Sequence, residues 1–234
     1  MGVLAHSVAK RQRIPHVTTI HTLYSELIDD YPFMVTAGVI ALSVAFPVVF
    51  RTKPILPITS REQLHGMGKS AIRDMLSRQG WRLTAAFANQ CDACISPSQH
   101  LAKILVEDGG LTTPCHVFPN GINTQRYHDA VAADSPITKG PGDKFIISVA
   151  RLSPEKRQQA LVEALPHIPD ENVKLVLVGG GPYEAELRAC AERLGVAERV
   201  IFTGMQPSDA VAALLKQADV FSLASYHFDN QPMT

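Results

Sequence analysis

The sequence predicts an α/β protein made of two doubly wound domains, and three observations lead there. Apolar runs of four to six residues alternate with helical patterns of ten to thirteen over residues 144–223. Such alternation is the mark of βαβ units, whose strands are buried on both faces of a parallel sheet. A glycine turn, Gly179-Gly180-Gly181-Pro182, closes one of these runs and opens a helix. Ahead of them, short β-branched strands lead into a polar, proline-bearing stretch, and 234 residues are enough for two separate cores.

In the first half, residues 16–20 form an apolar strand, 93–96 a second and 115–118 a third, with a capped helix over 98–107 between the last two. Pro119-Asn120-Gly121 is a turn, and the domain boundary falls near Ile122. The organisation expected is a first domain over 1–122, a linker over 123–143 and a second domain over 144–234. In the second domain the strands are 144–149, 173–178, 199–202 and 220–223, and the helices 155–165, 183–194 and 208–217. Pro154 and Pro182 stand where helices begin, Gly195 where one ends, and Pro207-Ser208 sets a cap ahead of Asp209. Right-handed crossovers then make a Rossmann-like half the natural product.

Residues 33–50 contain no charge, a length near the lower limit for a membrane span. Gly38 and Pro47 disfavour a continuous helix there, and Thr36 and Ser43 interrupt the apolar run. A buried or surface-seated hydrophobic insertion over about 33–80 is therefore favoured over a span. Residues 1–105 hold 11 Lys/Arg against 6 Asp/Glu, and residues 106–234 hold 11 against 16, so a net charge of zero conceals +5 and −5 halves. The zero balance argues against nucleic acid as a partner. Arg51, Lys53, Arg61, Lys69, Arg73, Arg78 and Arg82 face only Glu62 and Asp74. An anionic membrane surface and a plain solvated helix face both account for that cluster over 33–82. Four cysteines with no signal peptide point to a reducing, cytoplasmic setting without disulfides. Cys91 and Cys94 have CxxC spacing but enter an apolar strand with no second pair to complete a metal site, so they read as core or bystander residues.

Chemistry concentrates after the strand at 144–149. Arg151 and Lys156 follow it, and the Gly179, Gly180, Gly181 turn follows the next strand. Loops at the carboxyl ends of neighbouring parallel strands converge on one crevice, which with fixed cations and a helix start suits a phosphorylated ligand. A cation at a helix N-terminus opposes the dipole, so its presence asks for a reason. The bland alternatives are solvated cations and a tight turn. His21 follows the strand at 16–20 and is either a cleft residue or a structural histidine.

These residues carry a resemblance. Val149-Ala150-Arg151-Leu152-Ser153-Pro154-Glu155-Lys156, 178–182, Val200-Ile201-Phe202-Thr203-Gly204, Ala218-Asp219-Val220-Phe221 and Phe228-Asp229-Asn230-Gln231-Pro232 resemble, in order, the donor-binding half of retaining GT-B glycosyltransferases of the family numbered four. Ile14-Pro15-His16-Val17, Ile20-His21-Thr22-Leu23-Tyr24, Cys91-Asp92, Ser96-Pro97-Ser98 and Phe118-Pro119-Asn120-Gly121-Ile122 are similar to its acceptor-side domain. The run around His21 is closest to bacterial diacylglycerol glucosyltransferases. The resemblance implies a GT-B fold and transfer of a hexose, from UDP-glucose by preference, to a lipid or sugar acceptor with retention. It gives Arg151 and Lys156 the donor diphosphate, the Gly179–Gly181 loop, Asn230 and Gln231 the nucleotide sugar, and His21 and Asp229 the reacting sugar.

No two aspartates are two residues apart, so the D-x-D of metal-using transferases is missing, and neither metal nor cofactor is expected. The family pairs the acidic residue at Asp229 with a second one at position 237, beyond Thr234, and begins with a strand and glycine-rich loop ahead of Met1. The resemblance thus implies a fragment, peripheral at the inner membrane face if residues 33–82 touch lipid. Ala150 and Arg157 stand where glycine, or asparagine at the latter, is common, and Asn123 where Asp is usual. Two rivals stand beside a lipid glycosyltransferase: a non-catalytic nucleotide-sugar-binding paralogue, and a cytosolic enzyme acting on soluble sugars.

Overall fold

The computed structural model describes residues 2–21, 32–50, 68–131 and 134–225. They fall into two compact units divided between Asn120 and Gly121.

The first unit has a parallel sheet, β1 (Val17–Thr19), β2 (Ala93–Ser96) and β3 (Cys115–Val117), in that order. Its helices are α1 (Gly2–Gln12), α2 (Pro32–Phe50), α3 (Lys69–Ala88) and α4 (Gln99–Glu107). Ser98 caps α4 by accepting the Leu101 N–H at 3.1 Å. Trp81, Ala85 and Ala88 of α3 and Leu101 and Leu105 of α4 close over Cys94 at the centre of β2. Burial, then the neighbouring Cys115, pushes the Cys94 thiol up to about 12, which makes it an inert apolar group. Asp92 holds the entry to β1 by accepting the His16 N–H at 2.7 Å.

α2 corrects an expectation. Despite Gly38 and Pro47 it is one continuous 19-residue helix. Pro47 lies within the last turn, where a missing N–H removes a single hydrogen bond. Val39, Phe46 and Phe50 pack along one side onto Ile72, Met75, Leu76 and Leu83 of α3, and Gln79 donates to Ser43 at 3.0 Å between them. The side away from α3 leaves Ile40, Val44 and Val48 exposed, and Leu42 is exposed at the flank. Among the described residues, no helix is long and apolar enough to cross a membrane. Trp81, Ala85 and Ala88 of α3 belong to the core of the first unit, whereas Ile72, Met75 and Leu76 of its earlier turns pack with α2.

The second unit has four parallel strands, β4 (Lys144–Val149), β5 (Val173–Val178), β6 (Val200–Gly204) and β7 (Val220–Phe221), in the order β6-β5-β4-β7. Its helices are α5 (Thr124–Asp129), α6 (Gln158–Ala164), α7 (Glu184–Arg193) and α8 (Ser208–Gln217). Leu175, Val176 and Leu177 in β5 have no exposed surface. Alternate residues feed two cores, one with Val162 and Leu187, the other with Ile147, Val149 and Leu214. Helices therefore cover both faces, and the strand order reverses direction at β4, which puts the loop after β4 at the topological switch point.

Two further expectations change. The helix expected from residue 155 is a 3-10 turn, Pro154–Lys156, separated from α6 by Arg157 at φ 50°. The stretch expected as a linker also carries structure. Asn123 caps α5 by accepting the Arg126 N–H at 3.3 Å, Arg126 pairs with Asp209 of α8 at 3.2 Å, and Lys216 donates to the carbonyls of His128 and Ala130. Lys139 pairs with Asp219 just before β7. Residues that read as polar linker are polar because they bind the surface of the second unit.

Candidate functional site

β4 ends at Val149, and the backbone from Ala150 to Arg157 forms the first wall of the site. Leu152 and Ser153 turn inward and are buried, while the Arg151 side chain stays 63% exposed. Its Nη2 donates to Oε1 of the buried Glu155 at 2.8 Å, and Ser153 Oγ donates to the same oxygen at 2.8 Å. Gln158 donates from Nε2 to the Arg151 carbonyl at 2.9 Å. Burial pushes the Glu155 carboxyl up, but the hydrogen bonds from Ser153 and Arg151 outweigh it and hold its pKa below the ordinary value. Glu155 is thus an ionised anchor beneath the guanidinium. The pair fixes the orientation of a guanidinium, a planar fork of donors of the kind that binds phosphate through two parallel hydrogen bonds. With Lys156 and Arg157 the loop carries three cations against one carboxylate.

The second wall follows β5. Gly179 has φ 137°, and a Cβ there would come within 2.1 Å of the Ala150 carbonyl oxygen. A Cβ at Gly181 would lie 2.1 Å from the Leu152 oxygen. The two loops are hydrogen-bonded to one another: Leu152 N–H donates to Gly180 O at 3.1 Å, and Tyr183 N–H to Leu152 O at 3.2 Å. Gly179 N–H bonds Gly204 O at the end of β6 at 2.9 Å. These glycines are required by backbone contact, and that contact brings the turn against Arg151.

The expected residues distribute as follows. Arg151, Lys156, Gly179, Gly180 and Gly181 come together at the carboxyl ends of β4 and β5. His21 lies in the first unit, exposed just past β1 and next to Ile20, whose N–H bonds Ile95 O. Asp229, Asn230 and Gln231 lie outside the described residues. Glu155, Ser153 and Gln158 were not singled out from the sequence. The signal for Glu155 was its place four residues after Arg151, though only the fold shows it buried.

Two parallel-sheet units, one with a cationic loop and glycine turn at its switch point, are the architecture of the GT-B fold. The sequence profile of Glycosyltransferase Family 4 matches residues 1–126, and that of glycosyl transferases group 1 matches residues 132–234. The chain belongs to Glycosyltransferase Family 4. Alpha-monoglucosyldiacylglycerol synthase of Streptococcus pneumoniae is 26% identical over 234 residues, covering 96% of this chain and 44% of that protein. GDP-mannose-dependent alpha-(1-6)-phosphatidylinositol monomannoside mannosyltransferase of Mycolicibacterium smegmatis is 32% identical over 142 residues, covering 58% of this chain and 37% of that one. Among solved structures, HepE of Anabaena in complex with UDP and glucose superposes with a TM-score of 0.64 at 21% identity, covering 96% of this chain and 50% of HepE. That likeness bears on the fold. The chain spans half or less of the length of these three relatives.

Proposed function

We propose that the chain is part of an enzyme that moves a hexose from a nucleotide-diphosphate sugar, UDP-glucose, to the hydroxyl of diacylglycerol or another membrane lipid, with retention and without a metal. The bond from the sugar C1 to the diphosphate breaks, the acceptor oxygen bonds to C1 on the same face, and its proton passes to the departing phosphate. Arg151 and Lys156 neutralise the leaving diphosphate and the Gly179–Gly181 turn lies along it. By the family resemblance, Asp229, Asn230 and Gln231 hold the donor sugar, and His21 contacts the reacting sugar or polarises the acceptor region.

The observation that carries this reading is the exposed Arg151 guanidinium, fixed on the buried Glu155 beside the glycine turn. Preorganised donors at a developing charge are worth about 10²–10³ in turnover each. Arg151→Ala in the complete enzyme should therefore lower turnover by about that factor, and in this chain should weaken UDP binding in calorimetry by about tenfold or more. Wild-type affinity and turnover in the variant would overturn the assignment. The lipid half of the proposal is supported by α2, which leaves Ile40, Val44 and Val48 exposed, and by the exposed Arg73, Arg78 and Arg82 of α3. Apolar insertion plus cationic attraction is how a peripheral protein holds an anionic cytoplasmic leaflet.

A further inference from the structure

Away from the crevice, three side chains meet that the glycosyl-transfer chemistry does not use. His6 is near the middle of α1, His16 stands one residue before β1, and Cys91 two residues before β2. The Nδ1 atoms of His6 and His16 are 3.4 Å apart, and Cys91 Sγ is 3.4 Å from His16 Nδ1. Ligand atoms of all three lie within 4.8 Å of one another. We propose that His6, His16 and Cys91 form a structural site for a borderline divalent ion, Zn²⁺ foremost.

The spacing suits a metal better than a hydrogen-bonded cluster. With Zn–N of 2.0–2.1 Å and Zn–S of 2.3 Å, a tetrahedron has edges of roughly 3.3–3.6 Å between ligand atoms. Both observed short edges fall in that range. As a hydrogen bond the 3.4 Å contact between the two Nδ1 atoms is long, and His16 Nδ1 would have to serve both His6 and Cys91 from a single atom. Two imidazoles and a thiolate are also the donor set that borderline ions prefer over the hard ions served by carboxylates.

The surroundings fit the same ion. Phe50 stands edge-on to His6 at 5.5 Å and Phe87 edge-on to His16 at 6.3 Å, so aromatic walls shield the ligands. His6 is 9% and Cys91 8% exposed. On the other side His6 opens on a cavity of about 410 Å³, room for water or a small anion as fourth ligand. A thiolate ligand gives up its proton on metal binding, so affinity should rise with pH. Lys10 and Arg11 line the cavity and oppose a bare cation, whereas Asp92, held on the His16 N–H, offsets them. The cluster sits at the amino ends of β1 and β2, whereas ligand crevices in such sheets form at the carboxyl ends. An ion here would tie α1 to the sheet and take no part in transfer.

The test uses the tag-free 234-residue chain, stripped of metal and titrated with Co²⁺ near neutral pH, then with Zn²⁺. One equivalent of Co²⁺ should produce a thiolate-to-metal charge-transfer band that Zn²⁺ abolishes. Cys91→Ser should remove the band, and His16→Gln should weaken binding by about tenfold or more. Cys94→Ser, Cys115→Ser and Cys190→Ser should keep the band. Because a variant could misfold, the wild-type chain supplies a second readout: Zn²⁺ should slow alkylation of Cys91, followed by peptide mass spectrometry, by about tenfold or more. No band in the wild type, a band that survives Cys91→Ser, or Cys91 alkylation unchanged by Zn²⁺ would each overturn the proposal.

Discussion

Arg157 joins the 3-10 turn to α6 with φ 50°, a conformation that costs an L-residue with a Cβ roughly 1–2 kcal/mol. Arg157→Gly should raise the unfolding free energy by up to about 1 kcal/mol, the relief being partly offset by the freer unfolded chain. Arg157→Val should lower it by about 1–2 kcal/mol, since β-branching sharpens the clash. Equal stability of the arginine and valine forms in urea unfolding would show that the residue is not left-handed. Glu155 gives a prediction about pH. Its folded pKa lies below 4.5, so the stability it contributes is fully present above 4.5 and is lost as pH falls through the lower folded value. Unfolding curves measured downward from neutral pH should therefore be steeper in acid for the wild type than for Glu155→Gln. Identical slopes would mean that the Arg151–Glu155 contact stores nothing.

At the scale of elements, α2 matters most. A helix that is apolar all round needs a partner on every side, and α3 supplies one on a single side. Ile40, Val44 and Val48 stand four residues apart on the other side, where 54–78% of their surface is exposed. Replacing the three with Glu leaves the α3 contact untouched, so helix content should be unchanged by circular dichroism. Sedimentation with anionic liposomes should fall several-fold in the variant. Equal partition of both forms would detach membrane binding from α2. The helix itself was hard to read from sequence, because Gly38 and Pro47 penalise a helix locally, while the side packing of Val39, Phe46 and Phe50 that holds it is tertiary. The 3-10 break before α6 was hidden for a related reason: nothing in Pro154-Glu155-Lys156-Arg157 distinguishes one continuous helix from a turn followed by another.

For the whole molecule, legibility tracked burial. β4 and β5 run over the residues expected for them, since a strand buried on both faces must be apolar throughout. The strand order β6-β5-β4-β7 follows from crossovers that no residue encodes alone. That Arg151, Lys156 and the three glycines lie together at one end of the sheet is legible in the sequence, because they sit on two short, contiguous loops after neighbouring strands. The His6, His16 and Cys91 constellation was not, because its members are 10 and 75 residues apart and meet only once α1 docks and β1 pairs with β2 in register. Residues 123–143 read as linker because capping and ion pairing with α8 use the same residue types as solvent does.

The hydrogen bonds between the segment at Ala150–Leu152 and the glycine turn have a consequence for how such a chain can diversify. Neither loop can gain or lose a residue by itself, because an insertion in one would put a side chain against the other's carbonyl or break the bonds at Leu152. Related chains should therefore differ in length almost anywhere on this unit's rim before they differ here, and a change of length in one segment should be matched by a change in its neighbour.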